Sequence, residues 1–206
     1  CPGIDRIIIA TDAAEVRGAC RSFGAEGVMT SPDHASGTDR VAEVARGLSH
    51  EVIINVQGDE PLIEHDDLMA LAGLFTPGVV MTTLVARRTD PEGFADPNIV
   101  KAVVAEGGNA LYFSRSPVPY AAPGQASVEW LQHIGIYGYR RDFLLLLAGL
   151  KPTALEKRER LEQLRVLENG HRIRAGVTPH RHLGIDTEEE YRRFADEYLR
   201  KSCKKC

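Results

Sequence analysis

Along this chain, short apolar runs rich in isoleucine and valine alternate with stretches whose apolar residues recur at helical spacing. Arg6-Ile7-Ile8-Ile9-Ala10 shows no polar alternation, so it predicts a strand buried on both faces, as in a parallel sheet. A helical stretch ending near Gly24 follows Thr11-Asp12, and Val28-Met29-Thr30 predicts a second strand. Ser36-Gly37-Thr38-Asp39 opens a helix with Val41, Val44, Ala45 and Leu48 on one face. Residues 51–56 form the next buried run, ended by Gln57-Gly58-Asp59-Glu60-Pro61, and a helix is expected over 66–75. This β-α-β-α-β-α order predicts a doubly wound parallel sheet.

The middle of the chain breaks that rhythm. Strands are expected over 79–85 and 99–104, and Gly107-Gly108-Asn109 joins the latter to 110–113 as a hairpin. Pro117, Pro119 and Pro123 make 116–124 a loop or a sheet edge. A strand over 133–139 and a short buried helix over 143–148 follow. Residues 155–169 read as one charged helix with Leu161, Leu164 and Leu167 on a face, carrying more apolar surface than one domain face requires. Residues 173–177 read as a late strand, and Asp186-Thr187-Glu188-Glu189-Glu190 begins a final helix with acidic residues where the helix dipole favours them. The fold class is therefore α/β: one domain with a mixed, mainly parallel sheet flanked by helices.

Composition narrows the function without setting it. The 206 residues are 43% hydrophobic and 26% charged, ordinary for a globular domain, with net charge −4. No basic block is present to neutralise a phosphate backbone, so nucleic acid is not an expected partner. No apolar run reaches bilayer length, so no membrane partner is expected either. The N-terminal residues lack the charged and apolar regions of a signal peptide, and the cysteines (Cys1, Cys20, Cys203 and Cys206) suit reduced thiols in the cytoplasm. Cys203 and Cys206 have the spacing of half a zinc site, but no second ligand pair accompanies them.

Candidate chemistry lies in four places. Asp59 follows a buried strand, where open α/β sheets bind ligands; as a pattern the segment reads equally as a ligand site and as an acidic loop. Asp186 in Gly184-Ile185-Asp186-Thr187 is most simply a helix N-cap, and gains interest only as a partner of Asp59, since two converging carboxylates hold Mg²⁺. The segment from Ser31 to Arg40 leads small and hydroxyl residues into a helix N-terminus, which suits a capped loop or a polar ligand. The last set is scattered: Arg115, a carboxylate fork; His133 and Tyr137, which face one side of a strand; and Glu162-Gln163, placed to meet hydroxyls. Glu162 has a plainer alternative, pairing with Arg158 or Arg165 along its helix.

Taken in order, these segments resemble one family. The matching runs are Ala10-Thr11-Asp12; His34 followed by Ser36-Gly37-Thr38-Asp39-Arg40; Asn55-Val56-Gln57-Gly58-Asp59-Glu60-Pro61; and Ala110-Leu111-Tyr112-Phe113-Ser114-Arg115. They continue through His133-Ile134-Gly135-Ile136-Tyr137-Gly138-Tyr139-Arg140, Leu161-Glu162-Gln163-Leu164-Arg165-Val166-Leu167 and Gly184-Ile185-Asp186-Thr187. Together they resemble the CMP-Kdo synthetase (3-deoxy-manno-octulosonate cytidylyltransferase) family. The resemblance implies a nucleotide-diphospho-sugar transferase type of sheet. It also implies transfer of CMP from CTP to 3-deoxy-D-manno-octulosonate (Kdo), with release of pyrophosphate, for lipopolysaccharide biosynthesis. By position it makes Asp59 and Asp186 the catalytic, Mg²⁺-holding carboxylates. It places Ser36, Gly37 and Arg40 near the nucleotide, and Gln57, Arg115, His133, Tyr137, Glu162 and Gln163 at the sugar acid. It further implies a homodimer, for which the 155–169 helix or the 133–139 strand is the expected surface.

The match departs from the family in two respects. Arg6–Asp12 aligns with the family's second strand. The expectation is thus a domain lacking its first strand and phosphate-binding loop, and 206 residues that on their own neither bind CTP productively nor form product. Residues 120–132 look shorter than the family's usual connection. Two other readings remain open here: a cytidylyltransferase for another acidic sugar of the sialic acid type, and a non-catalytic remnant.

Overall fold

A computed structural model describes the chain except Cys1, Ala35, residues 123–128, Arg181, Leu183, Asp186 and residues 204–206, and except the side chains of Glu190, Arg193, Glu197 and residues 199–203. The C-terminal cysteine pair and the centre of the 120–132 connection thus lie outside the described residues. β1 (Ile8–Thr11), α1 (Ala14–Ser22) and β2 (Glu26–Met29) make a parallel crossover unit, with Ile8 opposite Glu26 and Thr11 opposite Met29. Gly24 supplies the positive φ of 76° needed where α1 turns into β2. α2 (Gly37–Arg46) starts where expected, its first turn closed by the Ser36 hydroxyl accepting from the Asp39 amide at 3.2 Å.

The remaining elements run β3 (Val52–Val56), α3 (His65–Gly73), β4 (Met81–Arg88), α4 (Pro91–Ala95), β5 (Lys101–Val104), β6 (Ala110–Ser114) and β7 (Trp130–Arg140). They end with α5 (Arg141–Ala148), α6 (Ala154–Glu159), α7 (Gln163–Glu168), β8 (Ile173–Thr178) and α8 (Glu188–Cys203). The larger sheet has the order β6-β5-β7-β4-β8, with β3 also paired to β7. β3, β4, β5 and β8 point one way, and β6 and β7 the other. The sheet is mixed, but against expectation it is neither mainly parallel nor doubly wound: among the described residues four of its five strand pairings are antiparallel and only β4–β8 is parallel. β7 is threaded antiparallel between β3 and β4, which the crossover through α3 leaves apart. One edge of β7 meets β4 along nearly its whole length. The other is shared by β5, opposite residues 131–132, and β3, opposite residues 136–140.

Apolar side chains fill both faces of this sheet. On one face Ile53, Met81, Phe113 and Tyr139 pack under α2, α5 and α7. On the other, Leu84, Ile134 and Ile136 pack with Leu71 of α3. One expectation fails here. The stretch 155–169 is two helices, because Arg160 takes a left-handed φ of 55° and stops α6, with the Leu161 amide closing back on the Glu156 carbonyl at 3.2 Å. The turn lets Leu161, Leu164 and Val166 enter the core, so the apolar excess is internal. No helix among the described residues is long and apolar enough to cross a membrane.

The α6–α7 corner is held by an ion pair. Arg165 Nε and Nη2 donate to Glu156 Oε2 and Oε1 at 2.9 and 2.5 Å, with the residues 5% and 7% exposed. Burial alone would raise the Glu156 pKa, but the Arg165 and Thr153 hydrogen bonds outweigh it and leave it lowered. Breaking one side of a buried pair strands the other charge. Glu156→Gln is therefore expected to lower unfolding free energy by about 3 kcal/mol in urea titrations; an unchanged midpoint would show that the pair does not hold the corner.

Candidate active site

The sheet face beneath α2, α5 and α7 carries the polar side chains that the sequence singled out. His133 and Tyr137 share it, with ring centroids 5.5 Å apart. Their common side survives an irregularity: Leu84 pairs with Ile134 but Thr83 with Tyr137, so Gly135 and Ile136 are extra on β7, and an even insertion preserves the alternation. The α6–α7 corner lowers Glu162 and Gln163 onto Tyr137. With Thr38 and Tyr139 these line one recess. Glu162 does not pair with Arg158 or Arg165; its Oε2 accepts the Thr38 hydroxyl at 2.6 Å, tying α7 to the first turn of α2. Gln163 is 3% exposed, and its Nε2 is a buried donor with no partner among the described residues; so is Nδ2 of Asn55, which stands opposite Tyr137 in the ladder. Unsatisfied buried donors are costly, and a hydroxyl-rich ligand would satisfy them.

The protonation states suit neutral recognition. Burial pushes the His133 pKa down to about 3, so the ring is uncharged at neutral pH. The Thr83 hydroxyl donates to the Ile136 carbonyl at 2.9 Å, so at 3.0 Å it accepts from His133 Nε2. That leaves Nδ1 as the acceptor of the imidazole. Burial first, then the neighbouring Tyr139 phenol and the carboxylates of Glu162 and Glu60, raises the Tyr137 pKa well above its ordinary value, so its phenol stays a donor.

The other predicted residues surround this recess at different distances. A side-chain carbon on Gly37 would stand 3.1 Å from Gln57 Oε1, so the glycine admits the Gln57 carboxamide to the start of α2. Ser36 is occupied in capping that helix. Arg40 lies at the ends of the smaller sheet, where it donates to Thr30 Oγ1 at 2.6 Å and pairs with Asp12 at 2.9 Å. Arg115 is not a free fork: Nε donates to the Glu159 carbonyl at 2.9 Å and Nη1 to the Pro97 carbonyl at 3.1 Å. Its Nη2 has no partner among the described residues and remains for a ligand. Asp59 is exposed in the turn after β3, and its carbonyl accepts from the Ile185 amide at 2.9 Å. That bond brings the 184–185 segment to the Asp59 turn; Asp186 itself lies outside the described residues.

Known proteins decide what this arrangement belongs to. The cytidylyltransferase family model matches residues 1–173. A 3-deoxy-manno-octulosonate cytidylyltransferase of Solibacter usitatus is 50% identical over 190 residues, covering 91% of this chain and 75% of that one. One from Myxococcus xanthus is 51% identical over 178 residues, covering 85% and 72%. The chain belongs to the 3-deoxy-manno-octulosonate cytidylyltransferases. Among solved structures, a CMP:2-keto-3-deoxy-manno-octonic acid synthetase complexed with CTP superposes with a TM-score of 0.90 at 36% identity, covering 97% of this chain and 83% of that one. An inositol-1-phosphate CTP transferase from T. maritima shares the fold alone, with a TM-score of 0.61 at 13% identity.

Several supporting residues of this cytidylyltransferase carry no sequence signal of their own. Thr83 sets the His133 tautomer from a strand that reads only as apolar. Glu159 accepts from the Ser114 hydroxyl at 2.7 Å and the Arg115 amide at 3.0 Å, fixing the exit of β6, though it looks like any charged helix residue. Burial of Glu159 works against its charge, and those hydrogen bonds outweigh it to lower its pKa.

A neutral buried histidine has a pH signature. The folded His133 pKa lies below the unfolded value, so the unfolded chain binds the extra proton. Its effect on stability is absent above about pH 6.5 and becomes destabilising as pH falls from there toward 3. His133→Gln keeps a donor for Thr83 but cannot titrate. Between pH 7 and pH 5 the variant is expected to lose less stability than the natural chain, by on the order of 1–2 kcal/mol in urea titrations. Equal losses would contradict the assigned protonation state.

Proposed function

We infer that this protein transfers CMP from CTP to Kdo, giving CMP-Kdo and pyrophosphate. The observation that carries the reading is a convergence of side chains in a chain of this family: Tyr137, Glu162 and Gln163 line one narrow recess, His133 lies beside Tyr137 with ring centroids 5.5 Å apart, and the Gln163 amide is a buried donor with no partner among the described residues. In the reaction the sugar's anomeric hydroxyl oxygen bonds to the α-phosphorus of CTP as the bond to the leaving pyrophosphate breaks, and the hydroxyl proton is lost to water. Such a displacement depends on positioning and charge neutralisation.

Each residue contributes to one of these. Tyr137 and Gln163 donate to sugar oxygens, and Glu162 accepts from a hydroxyl. His133 is too weakly basic to take the proton, so it orients a hydroxyl through Nδ1. Gln57 lies between the sugar and the start of α2, where Ser36, Gly37 and Arg40 meet the nucleotide. Arg115 offers Nη2 to the sugar carboxylate. Among the described residues no group of three or more His, Cys, Asp or Glu side chains is spaced to hold an ion. Mg²⁺ nevertheless fits the exposed Asp59, because it takes one or two carboxylates and completes its shell with water and phosphates. Asp59 and Asp186 would hold it, an assignment supported by the Ile185–Asp59 main-chain bond. When bound, Mg²⁺ neutralises charge on the triphosphate. Homodimer assembly belongs to the same reading, and CTP and free Kdo as substrates suit a cytoplasmic enzyme.

Pyrophosphate release by the intact enzyme, with CTP, Kdo and Mg²⁺, tests this. Turnover is expected with Kdo and not with a sialic acid, and Asp59→Asn is expected to lower kcat by about a hundredfold or more. Equal turnover of the two sugars would favour the sialic acid reading, and full activity of the variant would remove Asp59 from the metal site.

A further inference from the structure

Lys101 is buried completely, with 0% of its surface exposed, yet it forms no ion pair among the described residues. Its Nζ donates to the carbonyls of Asp96 at 2.8 Å, Ile99 at 2.6 Å and Arg115 at 2.6 Å. Three donated bonds require the protonated ammonium, since a neutral amine has two N–H groups. Burial lowers its pKa, the charge of Asp96 opposes that, and Arg115 adds to it. A buried cation is expensive to maintain, and an apolar residue would fill a strand interior at less cost.

The acceptors show what the cation holds in place. Asp96 and Ile99 bracket the loop before β5, which Asp96 Oδ1 also turns by accepting from the Asn98 amide at 2.8 Å. The Pro97 carbonyl in that loop fixes Arg115 Nη1. Lys101 therefore grips Arg115 twice: directly at its carbonyl, and at the end of its side chain through the loop. Across the ladder Lys101 stands opposite Ser114, the residue before Arg115.

We propose that Lys101 is a positioning residue for Arg115, aiming its free Nη2 at the substrate carboxylate and so setting the affinity for the acidic sugar. The proposal rests on the reading that Arg115 meets that carboxylate. A residue of this kind shifts one KM and not the other. Steady-state kinetics of the intact enzyme with Mg²⁺ should show Lys101→Gln raising KM for Kdo by about tenfold while KM for CTP moves by less than about twofold. Arg115→Ala should raise KM for Kdo by at least as much, and adding Lys101→Gln to it should change that KM no further. If Lys101→Gln does not fold, Asp96→Ala loosens the same loop at its rim and should raise KM for Kdo alone, by about threefold. An unchanged KM for Kdo in Arg115→Ala overturns the Arg115 reading and the proposal with it. A raised KM in Arg115→Ala overturns the Lys101 proposal alone if Lys101→Gln raises both KM values equally or its effect adds in full to that of Arg115→Ala.

Discussion

Everything in this molecule that touches the proposed chemistry depends on the antiparallel clamping of β7. Held by β4 along one edge and by β5 and β3 in succession along the other, the strand has almost no freedom to slip. A one-residue slip would turn His133 and Tyr137 away from the recess and drive Ile134 and Ile136 into it. The hydrophobic pattern of both faces forbids that slip, because Tyr139 and Ile136 are each buried on their own side.

The polar side chains follow from this clamp. They sit on a face that is otherwise a packed core, where solvent cannot compensate a misplaced donor, so each is fixed by another group. Thr83 fixes His133, Thr38 fixes Glu162, and Glu159 and Lys101 fix the approach to Arg115. The buried Glu156–Arg165 pair fixes the corner from which Glu162 and Gln163 descend. A low-dielectric setting makes such networks stiff, and stiffness is useful when catalysis consists mainly of holding two substrates in line.

Much of this was legible in the amino-acid order, for physical reasons. Continuous apolar runs marked the strands, Gly108 marked the β5–β6 hairpin, and alternation put His133 and Tyr137 together. The family resemblance, carried by runs spread over most of the chain, named the chemistry. Three things were hidden. Strand order is a long-range property, so nothing in 130–140 reveals that it inserts between β3 and β4. The break at Arg160 depends on one residue adopting a conformation that glycine usually takes, and helical periodicity continues across it. The roles of Lys101 and Glu159 depend on carbonyl and amide groups of distant residues, which no side-chain pattern encodes.

The central claim is a location: the acidic sugar lies over β7, beneath the α6–α7 corner. A crystal structure of the intact enzyme with Kdo tests it most directly. The account predicts the sugar between Tyr137 and Gln163, with Glu162 at a hydroxyl and its carboxylate within hydrogen-bond distance of Arg115 Nη2. Kdo bound instead at the separate cleft lined by Pro77, Asn109, Arg172 and Arg174, with the β7 recess closed, would contradict it.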